Sequence, residues 1–269
     1  MQCVIMSIYK NDKLEYVKEA LKSLYNQSLK ADIFIKIDGK INKDLENFLF
    51  FEKEKGNITY LDKRDENKGL AVSLNELIRV GLDKGYKYFF RMDADDISNL
   101  DRFKRQIEFM KKNKDIDICG TFIEEFGDGI EYKKKVKYPL THQEMFKFFK
   151  KRVPLAHVSV CFRDTFFKKA GFYPEKNHIT NEDTLMWLNG FKNGCNFANI
   201  DYVGVKVRVS KDFFNRRRSL KKVWYDFKNR LLVNKELGYG IDSYFYAVGM
   251  LVINLLPPSL KKLAYKFLR

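Results

Sequence analysis

The chain has 269 residues, of which 45% are hydrophobic and 15% aromatic, and its formal charge is +16. That apolar content is enough for a packed core in one large domain, or one domain with an appendage, and it excludes a disordered chain. With 15 Gly and 5 Pro, and no low-complexity tract or internal repeat, a flexible linker is excluded too.

Cys3, Cys119, Cys161 and Cys195 lie far apart, without CxxC or Cys/His ligand spacing, and each sits among apolar neighbours. They are expected to be buried thiols in a reducing cytosol. Met1 leads directly into a strand-like stretch, which leaves no room for a signal peptide, so no export is expected.

Along the first hundred residues, strand and helix patterns alternate. Strand-like "CVIMSIY" precedes a helix over "YVKEALKSLYNQ"; "DIFIKID" precedes a helix over "KDLENFLFFEKE"; "ITYLDK" precedes a helix over "LAVSLNELIRVGLDKG"; then comes "YKYFFRM". This order predicts a parallel sheet with helices on both faces. Ligands bind such sheets at the carboxyl ends of the strands. Polar segments follow those ends at Ser7 to Asp12, Asp38 to Lys40, Arg64 to Gly69 and Asp93 to Asp96, and are expected to converge on one crevice. A helix starting near Asn99 follows, then strands over "DICGTFIEEF" and "EYKKKVKYP", a helix over "QEMFKFFKK", a strand over "HVSVCFR", a helix from "NED" to Gly194, and returning strands over "CNFANIDYVGVKVRV". The whole reads as an α/β fold with a mixed central sheet flanked by helices, spanning residues 1–210, and a helical extension over residues 211–269.

The acidic turn "DADD" ends an aromatic strand in a strongly basic protein. Residues two apart in extended chain share a face, so Asp93 and Asp95 can aim two carboxylates at one point. Hard oxygen donors of this kind suit Mg²⁺ or Mn²⁺, which complete their shells with substrate phosphates and water. A plainer alternative is a solvated acidic turn at the positive end of the next helix.

The segments "RMDADDIS" and "DRFKRQ" resemble the DxD motif and following helix of family 2 glycosyltransferases with the GT-A fold. "SIYKND" with "YVKEALKSLYNQS" resembles the opening strand and helix of that family. "KIDGK" resembles its uracil-contacting turn, and "RDENKGLAVSLN" its Arg-x-x-x-Gly-Leu loop. "HVSVCFR", "GFY" and "NEDTLMWLNGFKNGCNFANI" resemble its later signature, so the likeness runs in order over roughly residues 3 to 210. The resemblance implies that Ser7 and Tyr9 flank base and ribose, that Asp38 accepts a hydrogen bond from uracil, and that Arg64 lies near base or phosphate. It also implies that Asp93 contacts ribose or metal, that Asp95 is the main metal ligand, and that His157 lies near the acceptor or the diphosphate. Taken singly, Ser7 and Tyr9 equally fit a strand end, Asp38 a turn before Gly39, Arg64 a surface charge and His157 a structural histidine.

Transfer from a nucleotide sugar requires a stabilised leaving diphosphate and a carboxylate that takes the acceptor proton. The resemblance assigns the base to Asp183, leaves Glu182 to orient the acceptor, and implies inversion at the anomeric carbon. "NED" also reads as a helix start, capped by Asn181 or Thr180, whose dipole is expected to keep Asp183 ionised. Where many relatives carry a histidine after "YRV", this chain has Ser210, which puts a third protein ligand to the metal in doubt. Arg208 or the "NRRR" at 215–218 is a candidate partner for the diphosphate, and no role is assigned to His142 or His178.

From Lys206 onward fifteen Lys/Arg face four Asp/Glu, so +11 of the +16 lies in the last quarter. Aromatic and basic residues interleave there. An apolar run of 13 residues, "YFYAVGMLVINLL", follows and falls short of the roughly 18 needed to cross a bilayer. After two prolines the final segment sets Leu260, Leu263, Ala264, Phe267 and Leu268 on one helical face and Lys261, Lys262, Lys266 and Arg269 on the other, which suits an anionic cytoplasmic membrane surface or packing on the domain. The expectation is therefore a metal-dependent inverting transferase, peripheral on the inner face of the membrane, with a UDP-sugar as donor and a glycan or polyprenyl-diphosphate-linked acceptor. An inactive sugar-binding scaffold and a basic nucleic-acid-binding protein are the alternatives; no helix-turn-helix, RRM or zinc-finger pattern supports the latter.

Overall fold

A computed structural model describes residues 1–128, 134–175, 181–210 and 220–256. The first half alternates as expected: β1 (Gln2–Ile8), α1 (Leu14–Tyr25), β2 (Asp32–Asp38), α2 (Lys43–Glu54), β3 (Tyr60–Arg64), α3 (Leu70–Asp83) and β4 (Tyr88–Arg91). β3, β2, β1 and β4 lie side by side and parallel, so their carboxyl ends share one edge. β1 and β2 are apolar almost throughout because helices cover both faces of the sheet. Alternation sorts β1 between two layers: Val4 and Met6 pack with Leu21, Leu45 and Phe103, whereas Cys3 and Ile5 pack with Leu74, Phe162 and Trp187.

The second half comprises β5 (Ile97–Ser98), α4 (Arg102–Lys112), β6 (Ile118–Phe126), β7 (Lys134–Val136), α5 (His142–Phe149), a 3-10 turn at His157–Ser159, β8 (Cys161–Arg163), α6 (Asp164–Ala170), α7 (Glu182–Lys192) and β9 (Phe197–Arg208). β8 joins β4 antiparallel and passes the sheet to β6, β9 and β5, which makes it mixed. This is the GT-A-like fold expected from the sequence. β6 and β9 run parallel with register shifts at Phe122, and a Cβ on Gly204 would lie 2.3 Å from Thr121 Oγ1, so the bulge needs glycine there.

Two local expectations are corrected, and one helix is added. Helix α4 starts at Arg102 instead of near Asn99, because the Asn99 amide bonds the Gly204 carbonyl at 2.8 Å and so pairs β5 with β9. The strand expected over 157–163 opens as a 3-10 turn, in which Ser159 Oγ accepts from the Thr121 amide at 3.1 Å in place of a backbone ladder. Helix α6, unforeseen, links β8 to the segment before α7. All four cysteines are free and buried.

Helices α8 (Leu220–Glu236) and α9 (Asp242–Leu255) follow. Val233 of α8 is buried among the residues that surround Trp187, and Tyr239 donates to the Phe146 carbonyl of α5 at 2.5 Å, so the helical segment shares the second core layer. The final segment, 257–269, together with His178, Thr180, Phe213, Phe214 and the "NRRR" at 215–218, lies outside the described residues.

Candidate active site

β4 delivers the acidic turn to the shared strand edge. Arg91, buried at its end, pairs with the partly exposed Asp93 at 2.5 Å. Asp93, Asp95 and Asp96 each offer a carboxylate oxygen, and these three atoms lie within 4.8 Å of one another. Asp96 is buried and accepts from the Arg208 amide at 2.8 Å, while Arg208 Nε donates to the Asp95 carbonyl at 3.0 Å and its far end pairs with Glu19. Arg208, one of two candidates for the diphosphate, thus clamps the turn to the end of β9.

Beneath the turn, Arg102 is fully buried and donates to the Arg91 carbonyl at 2.9 Å, and Gln106 one helical turn later donates to the carbonyls of Cys119 and Ser159 at 2.8 and 3.0 Å. Those two residues explain the polar positions inside "DRFKRQ": they hold strand ends, and neither Asp101 nor the acidic turn caps α4 with a side chain.

The three carboxylates crowd one another, and among the described residues only Asp93 has an ion pair of its own, to Arg91. Burial first, and the charge of Asp93 second, push Asp95 above the usual carboxylate range; burial and both neighbours push Asp96 well above it. The turn after β1 adds a fourth acid. Asp12 accepts from the Tyr9 amide at 2.8 Å and is pushed up to about 7 by burial, and further by Asp95 and Asp93. Carboxylate oxygens gathered this closely, two of them on groups whose proton affinity burial and one another raise, have the donor chemistry for a divalent cation. Ser7 and Tyr9 lie half-buried at the end of β1 beside it. Asp12 was only the end of a polar segment in the sequence; its "ND" pair signals a turn and nothing in it signals the approach of Asp95.

Asp38 and Arg64 make the opposite arrangement. Asp38, 2% exposed, accepts at Oδ1 from Arg64 Nε (2.7 Å) and the Lys68 amide (2.8 Å), and at Oδ2 from the Gly69 amide (2.8 Å) and Asn67 Nδ2 (3.1 Å). These fill the roughly four acceptor positions of a carboxylate. Arg64 also donates to Glu76 at 2.8 Å and to Ser73, and Lys36 bridges Glu76 and Asp62. Gly39 keeps φ at +88°, and a Cβ there would lie 3.0 Å from the Asn67 amide nitrogen, so the turn needs glycine to bring the loop 65–69 back to Asp38. Asp38 and Arg64 therefore fix the loop 65–69 against the end of β2.

Within reach of the Arg91 charge stand Glu182 and Asp183, in the first turn of α7. Asp183 accepts from the Thr184 amide at 2.7 Å. Burial outweighs that bond and the favourable charges of Arg91 and Lys222, and raises its proton affinity; burial and Asp183 raise that of Glu182. The helix start thus does not hold Asp183 more firmly ionised than a free carboxylate, as the sequence suggested; burial makes it a stronger base. His157 shares a 2.7 Å hydrogen bond with the Tyr173 hydroxyl, and burial, aided by the Arg91 charge, keeps its imidazole neutral. The Arg91 charge acts on Asp95, Asp96, Glu182, Asp183, Tyr173 and His157, and so is common to the acidic turn, the acid pair and the histidine. Neither Arg91 nor Tyr173 was singled out from the sequence. Asn181 occupies the position before α7, but its side chain does not cap the helix; it bonds Asp226 of α8. His142 accepts from the Phe197 amide at 3.2 Å and packs against Phe191, a structural place.

A parallel strand edge carrying an acidic turn, together with a half-buried acid pair at a helix start, defines the protein as a GT-A-type glycosyltransferase. The chain belongs to glycosyl transferase family 2, whose model matches residues 3–224. It is 33% identical to an uncharacterized glycosyltransferase of Haemophilus influenzae, over 99% of this chain and 98% of that protein. It is 30% identical to the UDP-Gal:alpha-D-GlcNAc-diphosphoundecaprenol beta-1,3-galactosyltransferase of Escherichia coli, over 98% and 94%. Among solved structures, S. aureus TarS 1-349 in complex with UDP-GlcNAc aligns with a TM-score of 0.61 at 13% identity, over 95% of this chain and 82% of that one. The chain spans half of a longer TarS chain, with a TM-score of 0.61.

Proposed function

We propose that the protein transfers a sugar, with inversion, from a UDP-sugar to a hydroxyl of a glycan or polyprenyl-diphosphate-linked acceptor. The observation that carries this reading is a pair of acidic centres that share the charge of Arg91: one with a donor set for a cation, the other a half-buried carboxylate pair of raised proton affinity. Asp93 and Asp95 would hold Mn²⁺ or Mg²⁺, which when bound supplies positive charge against the leaving diphosphate. Asp96 and Arg208 keep the turn in shape. Asp183 takes the proton of the acceptor hydroxyl as that oxygen attacks the anomeric carbon, and the bond from that carbon to the diphosphate oxygen breaks on the opposite side. Glu182 orients the acceptor. Neutral His157, held by Tyr173, borders the same space as an uncharged donor or acceptor. Ser7 and Tyr9 border the nucleotide, and Asp38 and Arg64 act on it through the loop they hold.

The relative of E. coli named for a diphosphoundecaprenol-linked acceptor supports a lipid-linked acceptor here. No helix among the described residues is long and apolar enough to cross a membrane. Helix α9, however, leaves Ile241, Phe245, Val248, Val252 and Leu255 exposed, Phe245 at 74%. Their three- and four-residue spacing puts them on one face. With the excess of basic residues in this last quarter, that face supports peripheral attachment to an anionic cytoplasmic surface.

The test is release of nucleotide from a panel of UDP- and GDP-sugars with Mn²⁺ and a lipid-linked N-acetylglucosamine acceptor. One UDP-sugar is expected to be consumed, and Asp183→Asn is expected to lose about 10²- to 10⁴-fold in transfer while still binding UDP. Silence with every donor would favour the inactive-scaffold alternative. Loss of UDP binding in Asp183→Asn would overturn the assignment of the base.

A further inference from the structure

Helix α8 approaches the acid pair with a single polar stripe. Lys222, Asp226 and Arg230 are spaced four residues apart, which stacks them on one face. All three bear on the start of α7, one by contact and two by charge: Asp226 accepts a hydrogen bond from Asn181 Nδ2, 45 residues away in sequence, the charge of Lys222 acts on Glu182 and Asp183, and Arg230 feels Asp183 and Asp226. Arg230 is also anchored by donating to the Phe149 carbonyl, and Val223 and Val233 beside the stripe are buried.

Asn181 is the one non-glycine residue of positive φ among the described residues, at φ 69° and ψ 50°. Such a conformation is uncommon outside glycine, and Asn enters it more readily than most when its side chain finds a partner. Here that partner is neither its own helix nor the neighbouring turn. The left-handed residue immediately precedes Glu182 and Asp183, so its backbone angles set the direction in which α7, and both carboxylates, leave the preceding segment.

We propose that Asp226 is a positioning residue for the transfer reaction: by holding Asn181 in the left-handed conformation it aims the Glu182–Asp183 pair, and helix α8 is therefore a working part of the acceptor side instead of an appended segment. The proposal rests on the reading of Asp183 as the base. Its energetic logic is geometric: a carboxylate displaced by about an ångström from the acceptor oxygen loses on the order of a hundredfold in rate, without any change in what the nucleotide side binds.

The test is a double-mutant cycle read in turnover of the UDP-sugar, with UDP affinity measured in parallel. Asp226→Ala is expected to lower kcat by roughly tenfold or more with UDP affinity within about threefold of the parent. Asp226→Asn keeps an oxygen for Asn181 to bond and should lose less. In an Asn181→Gly background the left-handed turn no longer needs a side-chain partner, so adding Asp226→Ala should cost no more than about twofold. An undiminished kcat in Asp226→Ala, an equal fall of kcat and UDP affinity, or a full loss persisting in the glycine background would each overturn the proposal. Should Asp226→Ala fail to fold, Asn181→Ala cuts the same bond from the other end and carries the same expectation. An arm independent of catalysis is the crystal structure of Asp226→Ala: φ of residue 181 leaving the positive region supports the proposal, and an unmoved turn refutes it. An active Asp183→Asn would remove the base assignment alone, leaving the crystallographic arm to report on Asp226.

Discussion

Asp38 and Asp95 both follow parallel strands at the same edge of the sheet, yet they are opposites. Asp38 is closed: four donors, one of them a guanidinium, saturate it, and that guanidinium is shared in turn with Glu76 and Ser73. Asp95 is open: its closest charged neighbours include another carboxylate, and burial lifts its proton affinity. A carboxylate whose partners all come from the chain is finished when the chain folds. One left in the company of its own kind awaits a positive charge from outside, and this difference separates scaffold from chemistry more sharply than exposure does.

The sharpest way to break the comparison is to neutralise each member. Asp95→Asn is expected to abolish metal-dependent nucleotide release, by about 10³-fold, while the metal-free protein melts at the same temperature or slightly higher, since a repulsive charge has been removed. Asp38→Ala should do the reverse to stability: it takes the acceptor from the Lys68 and Gly69 amides, Asn67 and Arg64 Nε at once and costs about 3 kcal/mol, or roughly 6–12 °C in Tm for a domain of this size. Thermal denaturation in chelator, alongside nucleotide release with Mn²⁺, reads both. An Asp95→Asn variant that melts early would place that residue among the closed carboxylates.

The same contrast explains what could be read from the sequence. Strands β1 to β4 and helices α1 to α3 announce themselves because each holds its period over a whole element, and the acidic turn stands out against a basic chain. The short pieces β5, α6 and the 3-10 turn at His157–Ser159 hold no period long enough to detect. Pairings such as Asn75 with the Tyr173 backbone, Asp12 near Asp95 and Asn181 with Asp226 join residues whose neighbours in sequence reveal nothing of the partner. The raised proton affinity of Asp183 is hidden for a related reason: the helix start is visible in "NED", whereas burial is a property of the assembled core.

A smaller effect is expected at α9. Phe245→Ser with Val252→Ser should reduce sedimentation with anionic phosphatidylglycerol vesicles several-fold, each lost apolar side chain being worth about 1.5–3 kcal/mol of burial. Nucleotide release with a water-soluble acceptor should be unaffected, because those side chains point to solvent. Undiminished sedimentation would remove α9 as the membrane-facing element.

The finest test of an open carboxylate is its response to pH, and Asp12 supplies it. Its pKa in the folded protein is about 7, above the ordinary 3.8, so between these values the native state holds a proton that the unfolded chain has released. The stability this proton confers is complete below pH 3.8 and fades as pH rises through about 7. Asp95, Asp96, Glu182 and Asp183 are pushed in the same direction, so the slope of the parent protein is shared among them. Asp12→Asn isolates one share: in chelator, its stability relative to the parent should rise between pH 5 and pH 8 by an amount of order 1 kcal/mol after solvent screening. Mn²⁺ should reverse the sign, since a cation beside these carboxylates expels protons and its affinity should grow from pH 6 to pH 8 in the parent, and less in Asp12→Asn. Urea denaturation across that range, with and without the metal, checks both slopes. Parallel curves for the two proteins would mean that Asp12 is compensated by its turn alone, and would move it from the open carboxylates to the closed ones.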